Sequence, residues 1–140
     1  MAAFLKRIIN TPNAPKAIGP YNQAVAVENT MYLSGQIGID PATSKLVEGI
    51  EAQTTQALKN IGAVLASQDA GYDNVVKTTV LLANMSDYPK VNDIYKEFFK
   101  ADYPARAAYQ AAGLPAGALV EIESIAILGK VSTAPPAQNL

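Results

Sequence analysis

The run Val75-Val76-Lys77-Thr78-Thr79-Val80-Leu81-Leu82-Ala83 constrains the fold more than any other part of the chain. Its β-branched residues favour a strand, because their side chains pack well on a pleated surface and lose freedom in a helix. Apart from Lys77 and the threonines it is apolar on both faces. A strand of that kind calls for cover on both sides, by helices or by another subunit. Candidates for the cover flank it in sequence. From about Ile50 to Ser67, Leu58, Ile61 and Leu65 keep the i, i+3, i+7 spacing of a helix, and Ala57 and Val64 widen the stripe. A second helix begins with Ser86 or Asp87 as its cap and Pro89 in its first turn. Its apolar face is Tyr88, Val91, Ile94, Tyr95 and Phe98.

The remaining elements read as strands. Phe4 to Ile9 is followed by a Pro/Gly-punctuated loop, Thr11 to Pro20. Asn22 to Val27 and Met31 to Gln36 are joined at Glu28-Asn29-Thr30 as a hairpin. Gly35 and Gly38 mark a tight passage, and Asp40-Pro41 starts a turn toward Gly49. An Ala-rich strand, Arg106 to Ala111, and a last strand, Leu119 to Leu128, complete the chain. The order β-β-β-α-β-α-β-β predicts an α+β fold, a mixed sheet with two helices on one face. In 140 residues there is room for one buried core, so residues 1–130 read as a single domain and 131–140, small, polar and Pro-containing, as a disordered tail.

The chain has no histidine and no cysteine. That removes Ser-His-Asp and Cys-His nucleophilic chemistry and every metal site built on imidazole or thiolate. No acidic spacing resembles a calcium loop, so no metal is expected. Any proton transfer falls to Glu, Asp, Lys, Tyr or a positioned water. A net charge of -1 argues against a nucleic-acid partner, which needs an excess of basic charge on one face. No apolar run is long enough to span a membrane. Met1 to Asn10 has no long apolar segment of a secretory signal, and the first acid is Glu28. A strand is preferred there over a mitochondrial presequence, which gives a cytoplasmic location with the mitochondrion as the alternative. Asn84-Met85-Ser86 matches a glycosylation sequon, read as a chance match.

Between Asp102 and Lys130 the ionisable groups besides tyrosines are Arg106, Glu121 and Glu123. A guanidinium in such an apolar stretch needs a partner for its fork of donors, and a carboxylate bound bidentately is the natural one. Glu121 and Glu123, two apart on a strand, leave the same face, with Leu119, Ile125 and Ile127 beside them as expected core. Whether Arg106 pairs with one of them or with a substrate is open on this ground alone. Ser34-Gly35-Gln36 ends a strand with N–H groups and a hydroxyl in one place, a corner able to hold a ligand oxygen or simply a turn. Tyr21 faces either a cleft or the core. Asn92 lies on the polar side of its helix. Lys77 would be a Schiff-base amine if desolvated, but an edge lysine reaching water is the preferred reading.

Several motifs in order resemble one family. Ala17-Ile18-Gly19-Pro20-Tyr21-Asn22-Gln23-Ala24-Val25 and Tyr32-Leu33-Ser34-Gly35-Gln36 are similar to the N-terminal half of the Rid family, imine deaminases of the RidA type. The similarity continues through Asn74 to Val80, Val91-Asn92-Asp93-Ile94-Tyr95, Pro104-Ala105-Arg106 and Val120-Glu121-Ile122-Glu123, and covers about residues 4–129. The resemblance implies a chorismate-mutase-like fold (bacillary type) assembled as a homotrimer, a trimeric barrel with clefts between subunits. It implies hydrolysis of 2-imino acids, such as 2-iminobutanoate and 2-iminopropanoate, to 2-oxo acids and ammonia without a cofactor, sparing pyridoxal-phosphate enzymes. Arg106 would clamp the substrate carboxylate and Glu121 would be the catalytic acid-base group. Tyr21, from the neighbouring subunit, would help hold the water, and Ser34, Gly35, Asn92 and Ala108 match further pocket positions. Many relatives carry Cys where this chain has Ala108, so switching through that thiol is not available here, while hydrolysis does not need it. A carboxylate-binding or chaperone-like trimer and an endoribonuclease or translation inhibitor are the rival readings.

Overall fold

The computed structural model describes residues 3–136. Strands β1 (Lys6–Ile9), β2 (Ala24–Val27) and β3 (Thr30–Gln36) precede a small hairpin, β4 (Ile39–Asp40) with β5 (Lys45–Leu46). Then come α1 (Ile50–Ala66), β6 (Val75–Leu82), α2 (Tyr88–Phe98), β7 (Ala105–Gln110) and β8 (Val120–Ile127). The main sheet runs β1-β2-β3-β8-β6-β7. Its pairings are antiparallel except β6 with β7, which is parallel and uses α2 as its crossover.

One face of this sheet carries the core. Ala24, Ala26, Met31, Leu33, Val80, Leu82, Val120, Ile122 and Ala126 pack with Leu58, Ile61 and Leu65 of α1 and Val91 and Tyr95 of α2. Burying each of the large aliphatic side chains stabilises the fold by roughly 1.5–3 kcal/mol against leaving it in water. The predicted helical stripes are those that pack. The cap of α2 differs: Asp87 makes no capping hydrogen bond, and Asn84 instead accepts from the Ser86 N–H at 3.0 Å, fastening the turn that leads into the helix.

The other face bears no helix among the described residues, so helices cover β6 on one side alone, and the expected facing of β8 is corrected. Along β6, Val75, Thr78, Val80 and Leu82 turn to the helices, but Val76 and Lys77 are exposed and Thr79 and Leu81 half-buried. Along β8, Val120, Ile122, Ser124 and Ala126 are the core, so Ile125 and Ile127 share the open face with Glu121 and Glu123. Tyr32 and Tyr109 lie exposed on that same face. Lys77 is in solvent, though on an interior strand at a register irregularity rather than at an edge.

Strand ends follow their partners. Lys6 already pairs with Val27, the last residue of β2, so Phe4 and Leu5 run past the sheet and stay exposed. Of the tail expected to be disordered, 131–136 are exposed and without regular structure, and 137–140 lie outside the described residues.

Three buried amides hold the loops near the sheet. Asn60 Nδ2 donates to the carbonyls of Ile37 (3.1 Å) and Ile39 (2.9 Å), and Gln53 Oε1 accepts from the Leu119 N–H at 2.8 Å. Gln23 accepts from the Thr11 N–H at 2.6 Å and donates to the carbonyls of Thr11, Ala14 and Pro15. Gly38 is obligatory in this arrangement, because a Cβ there would stand 2.6 Å from the Cα of Gln53, backbone that cannot move aside.

Candidate active site

Arg106 stands on β7, an edge strand, and its register partner on β6 is the fully buried Thr78. The side chain is therefore on the helix face of the sheet, against α2. Its Nη2 donates to the Tyr88 hydroxyl at 2.8 Å, and its Cζ lies 4.8 Å from the ring centre of Tyr95 and 5.4 Å from that of Tyr88. Stacking on aromatic faces is a setting a planar, weakly hydrated guanidinium accepts. Neither Glu121 nor Glu123 forms an ion pair with it; among the described residues the ion pairs are Lys90–Glu51 and Lys96–Asp93. Arg106 opens onto a cleft of about 540 Å³ with Asn92, Tyr95, Tyr103 and Pro104 in its wall. The Oδ1 of Asn92 is buried there with no hydrogen-bond partner, so Asn92 is not the solvated helix residue its position suggested. A buried acceptor without a donor is costly, and a ligand N–H would relieve it.

Glu121 belongs to the other face. Its partner on β6 is Leu81, and it projects into a second cleft, also about 540 Å³, with Tyr21, Ser34, Gly35, Ile37 and Glu123. The β3–β8 register slips between Leu33 and Gln36, at Ser34-Gly35. A Cβ on Gly35 would stand 2.8 Å from the Glu121 carboxyl carbon, so the glycine is what lets that carboxyl lie against the strand. Ser34, in the wall of this cleft, donates its hydroxyl to the Asn22 carbonyl at 2.6 Å. Tyr21 is 44 % exposed, and its hydroxyl accepts from the Ile18 N–H at 3.2 Å. Burial first, and the neighbouring charge of Glu123 second, push the Glu121 carboxyl above the usual carboxylate range. Such a group holds its proton closer to neutrality than an ordinary glutamate does.

The predicted residues thus fall into two groups rather than one. Tyr21, Ser34, Gly35 and Glu121 share a cleft within the chain, so Tyr21 is not the residue that stands apart from Glu121; Arg106 and Asn92 are. Ala108 is half-buried on the Arg106 side of β7 and packs against the core. Tyr88 and Tyr95 were legible only as core, although their spacing of seven puts them on one stripe of α2 beside Arg106. Gln23 carried no sequence signal of its role. Among the described residues no group of three or more acids is placed to hold a metal ion.

Comparison with known proteins adds to this geometry. Residues 11–128 match the model of the family described as Endoribonuclease L-PSP. A crystal structure from the conserved Rid protein family, YyfA of Yersinia pestis, is 50 % identical and superposes with a TM-score of 0.86 over 89 % of this chain and 100 % of that one. The chain belongs to the Rid family. Among Rid relatives, a human protein named 2-iminobutanoate/2-iminopropanoate deaminase is 53 % identical over 96 % of this chain and 98 % of its own. TdcF of E. coli, solved with bound serine, is 35 % identical with a TM-score of 0.84 over 88 % of this chain and 99 % of its own. Such identity over nearly the full length marks a Rid-family member of the RidA type.

Proposed function

We infer that the chain is a hydrolytic deaminase of 2-imino acids, 2-iminobutanoate and 2-iminopropanoate among them. The observation that carries this reading is Arg106, a half-buried guanidinium that forms no ion pair among the described residues and faces a cleft whose acid, Asp93, is paired with Lys96. A small 2-imino acid supplies the missing carboxylate. The near-full-length similarity to the human deaminase supports the same substrate class.

Arg106 and Glu121 lie on opposite faces of one sheet, so the two act on one small substrate across a junction of subunits. A homotrimer with a cleft at each junction meets that need. Arg106 and Asn92 of one subunit then face Tyr21, Ser34, Gly35 and Glu121 of the next. The same packing supplies the second cover that β6 lacks, over Val76, Tyr32 and Tyr109.

In the reaction Glu121, as carboxylate, takes a proton from a water held with Tyr21 and Ser34. The water oxygen bonds to the imine carbon and the proton passes to nitrogen, giving a carbinolamine. Collapse breaks the C–N bond, releases ammonia and leaves the 2-oxo acid; one water is consumed and nothing is oxidised or reduced. A carboxyl with a raised pKa is suited to both halves of that exchange. The imine carbon is already electrophilic, so no nucleophilic side chain is required, and Ala108 needs no thiol in its place. No helix among the described residues is long and apolar enough to cross a membrane; the cytoplasm, with the mitochondrion as the alternative, goes with this reading.

The test is release of 2-oxobutanoate from 2-iminobutanoate generated in situ, with semicarbazide competing for the imine. Activity in the wild type that Arg106→Ala and Glu121→Ala both lose is the expected result. A folded, trimeric but inactive wild type would overturn the enzyme and leave a carboxylate-binding protein. Steeply salt-dependent RNA binding with cleavage would instead favour the endoribonuclease that the family description names, against which stand the net charge of -1 and the absence of histidine.

A further inference from the structure

An arginine on an edge strand has several rotatable bonds and, unrestrained, spreads over many rotamers. Arg106 is not unrestrained. We propose that Tyr88 and Tyr95 are positioning residues for Arg106, fixing its guanidinium so that the edge left free meets the substrate carboxylate. The inference rests on the carboxylate-clamp reading of Arg106 given above.

The two tyrosines divide the work. Tyr95 is 4 % exposed, its ring centre is 4.5 Å from that of Phe99, and its hydroxyl is 2.8 Å from Oγ1 of the fully buried Thr78. Its ring cannot swing, so it sets the plane in which the guanidinium lies, 4.8 Å away. Tyr88 fixes rotation within that plane, by accepting from Nη2 at 2.8 Å. One nitrogen is thereby tied down and the others remain as donors toward the cleft that holds Asn92. Burial pushes the Tyr95 phenol up, so it stays neutral and does not become an internal anion that competes for the arginine. Seven residues separate the pair, two turns of α2, which makes that helix a shelf under the guanidinium. Ordering the arginine in advance removes an entropy loss from the binding step.

The experiment compares Tyr88→Phe and Tyr95→Phe, each keeping its ring, with the wild type and Arg106→Ala. Readouts are KM and kcat for 2-iminobutanoate, calorimetric binding of 2-oxobutanoate, and the thermal midpoint. Tyr88→Phe is expected to raise KM and weaken 2-oxobutanoate binding about three- to tenfold, with kcat within about twofold, and Tyr95→Phe, which keeps the ring but loses its bond to Thr78, to do so by a smaller factor. In the Arg106→Ala background, with weak binding followed at millimolar 2-oxobutanoate, Tyr88→Phe should add nothing, because its effect runs through the arginine. Equal losses with and without Arg106, or unchanged binding in both phenylalanine variants, would overturn the positioning role while leaving the clamp intact. If Arg106→Ala itself binds 2-oxobutanoate as the wild type does, the clamp reading fails first. Tyr88 is half-buried, so its variant keeps the test sound should Tyr95→Phe lose stability.

Discussion

Glu121 and Arg106 sit on opposite faces of the same sheet, and their surroundings hold them by different physical means. Glu121 lies against backbone: the missing side chain of Gly35 makes room for its carboxyl, and among the described residues no cation pairs with it. Arg106 lies against side chains, with aromatic faces and one phenol around a charge that the chain keeps available. The acidic side is kept uneasy, its carboxyl holding a proton more readily than an ordinary glutamate, and the basic side is kept at ease but unfinished. On the function proposed above, a molecule with both a carboxylate and a protonatable nitrogen completes the pair.

The comparison can be broken most severely by removing either member. Arg106→Ala and Glu121→Ala should each lower kcat/KM on the order of a thousandfold. If the two sides meet across subunits, mixing and reassembling the two inactive variants restores about one quarter of the wild-type activity, since one junction in four then has both residues. No recovery in mixed trimers would sink the cross-subunit site. Gly35→Ala attacks the acidic side alone. It should displace the Glu121 carboxyl and cost about a hundredfold in kcat, with 2-oxobutanoate binding nearly kept; equal loss of both would show that the clefts are not separable.

The smaller effects concern charge. Glu121 has a folded pKa above its unfolded one, so the native state keeps the proton longer and stability falls as pH rises from the ordinary carboxylate value through the raised one. Glu121→Gln should therefore raise the thermal midpoint at pH 8, and this gain should vanish in acid, below the ordinary value. A midpoint that does not respond to pH in this way would contradict the strained carboxyl. Glu123→Gln should move the acidic limb of kcat/KM to lower pH without returning it to an ordinary carboxylate, because burial remains the larger cause. Smallest of all, Ala108→Cys should change kcat/KM by less than about twofold in a steady-state assay, since the thiol takes no part in proton transfer.

Much of the fold could be read from the chain because periodicity and burial agree in α1 and α2 and because the β-branched run of β6 forms the strand it favours. The hairpin β4–β5 escaped because a strand of two residues is too short to show a period. The facing of β8 differs from the expected one for a related reason. Both of its faces are apolar, Val120, Ile122 and Ala126 on one and Ile125 and Ile127 on the other, so alternation alone does not say which is inside. The site suffered most from what sequence distance conceals. Arg106 and Glu121 are both bonded to β6, but through Thr78 and Leu81, an odd separation that puts them on opposite faces. That parity belongs to register, and no single segment carries it. Tyr88 and Tyr95 were placed correctly as packing residues, yet an aromatic stripe on a helix does not announce that a cation will lie on it.

The buried half of the loop in front of Tyr21 is held mainly by one side chain. Gln23 alone makes four hydrogen bonds to Thr11, Ala14 and Pro15, one of them from the Thr11 N–H inside the protein. Beyond it the loop is held to Tyr21 by the bond from the Ile18 N–H, so release of the Gln23 amide frees the buried half of the segment, Thr11 to Pro15, together. The exchange of the Thr11 amide hydrogen with solvent therefore clocks the opening of the Glu121 cleft's outer wall, in the resting protein and without any substrate.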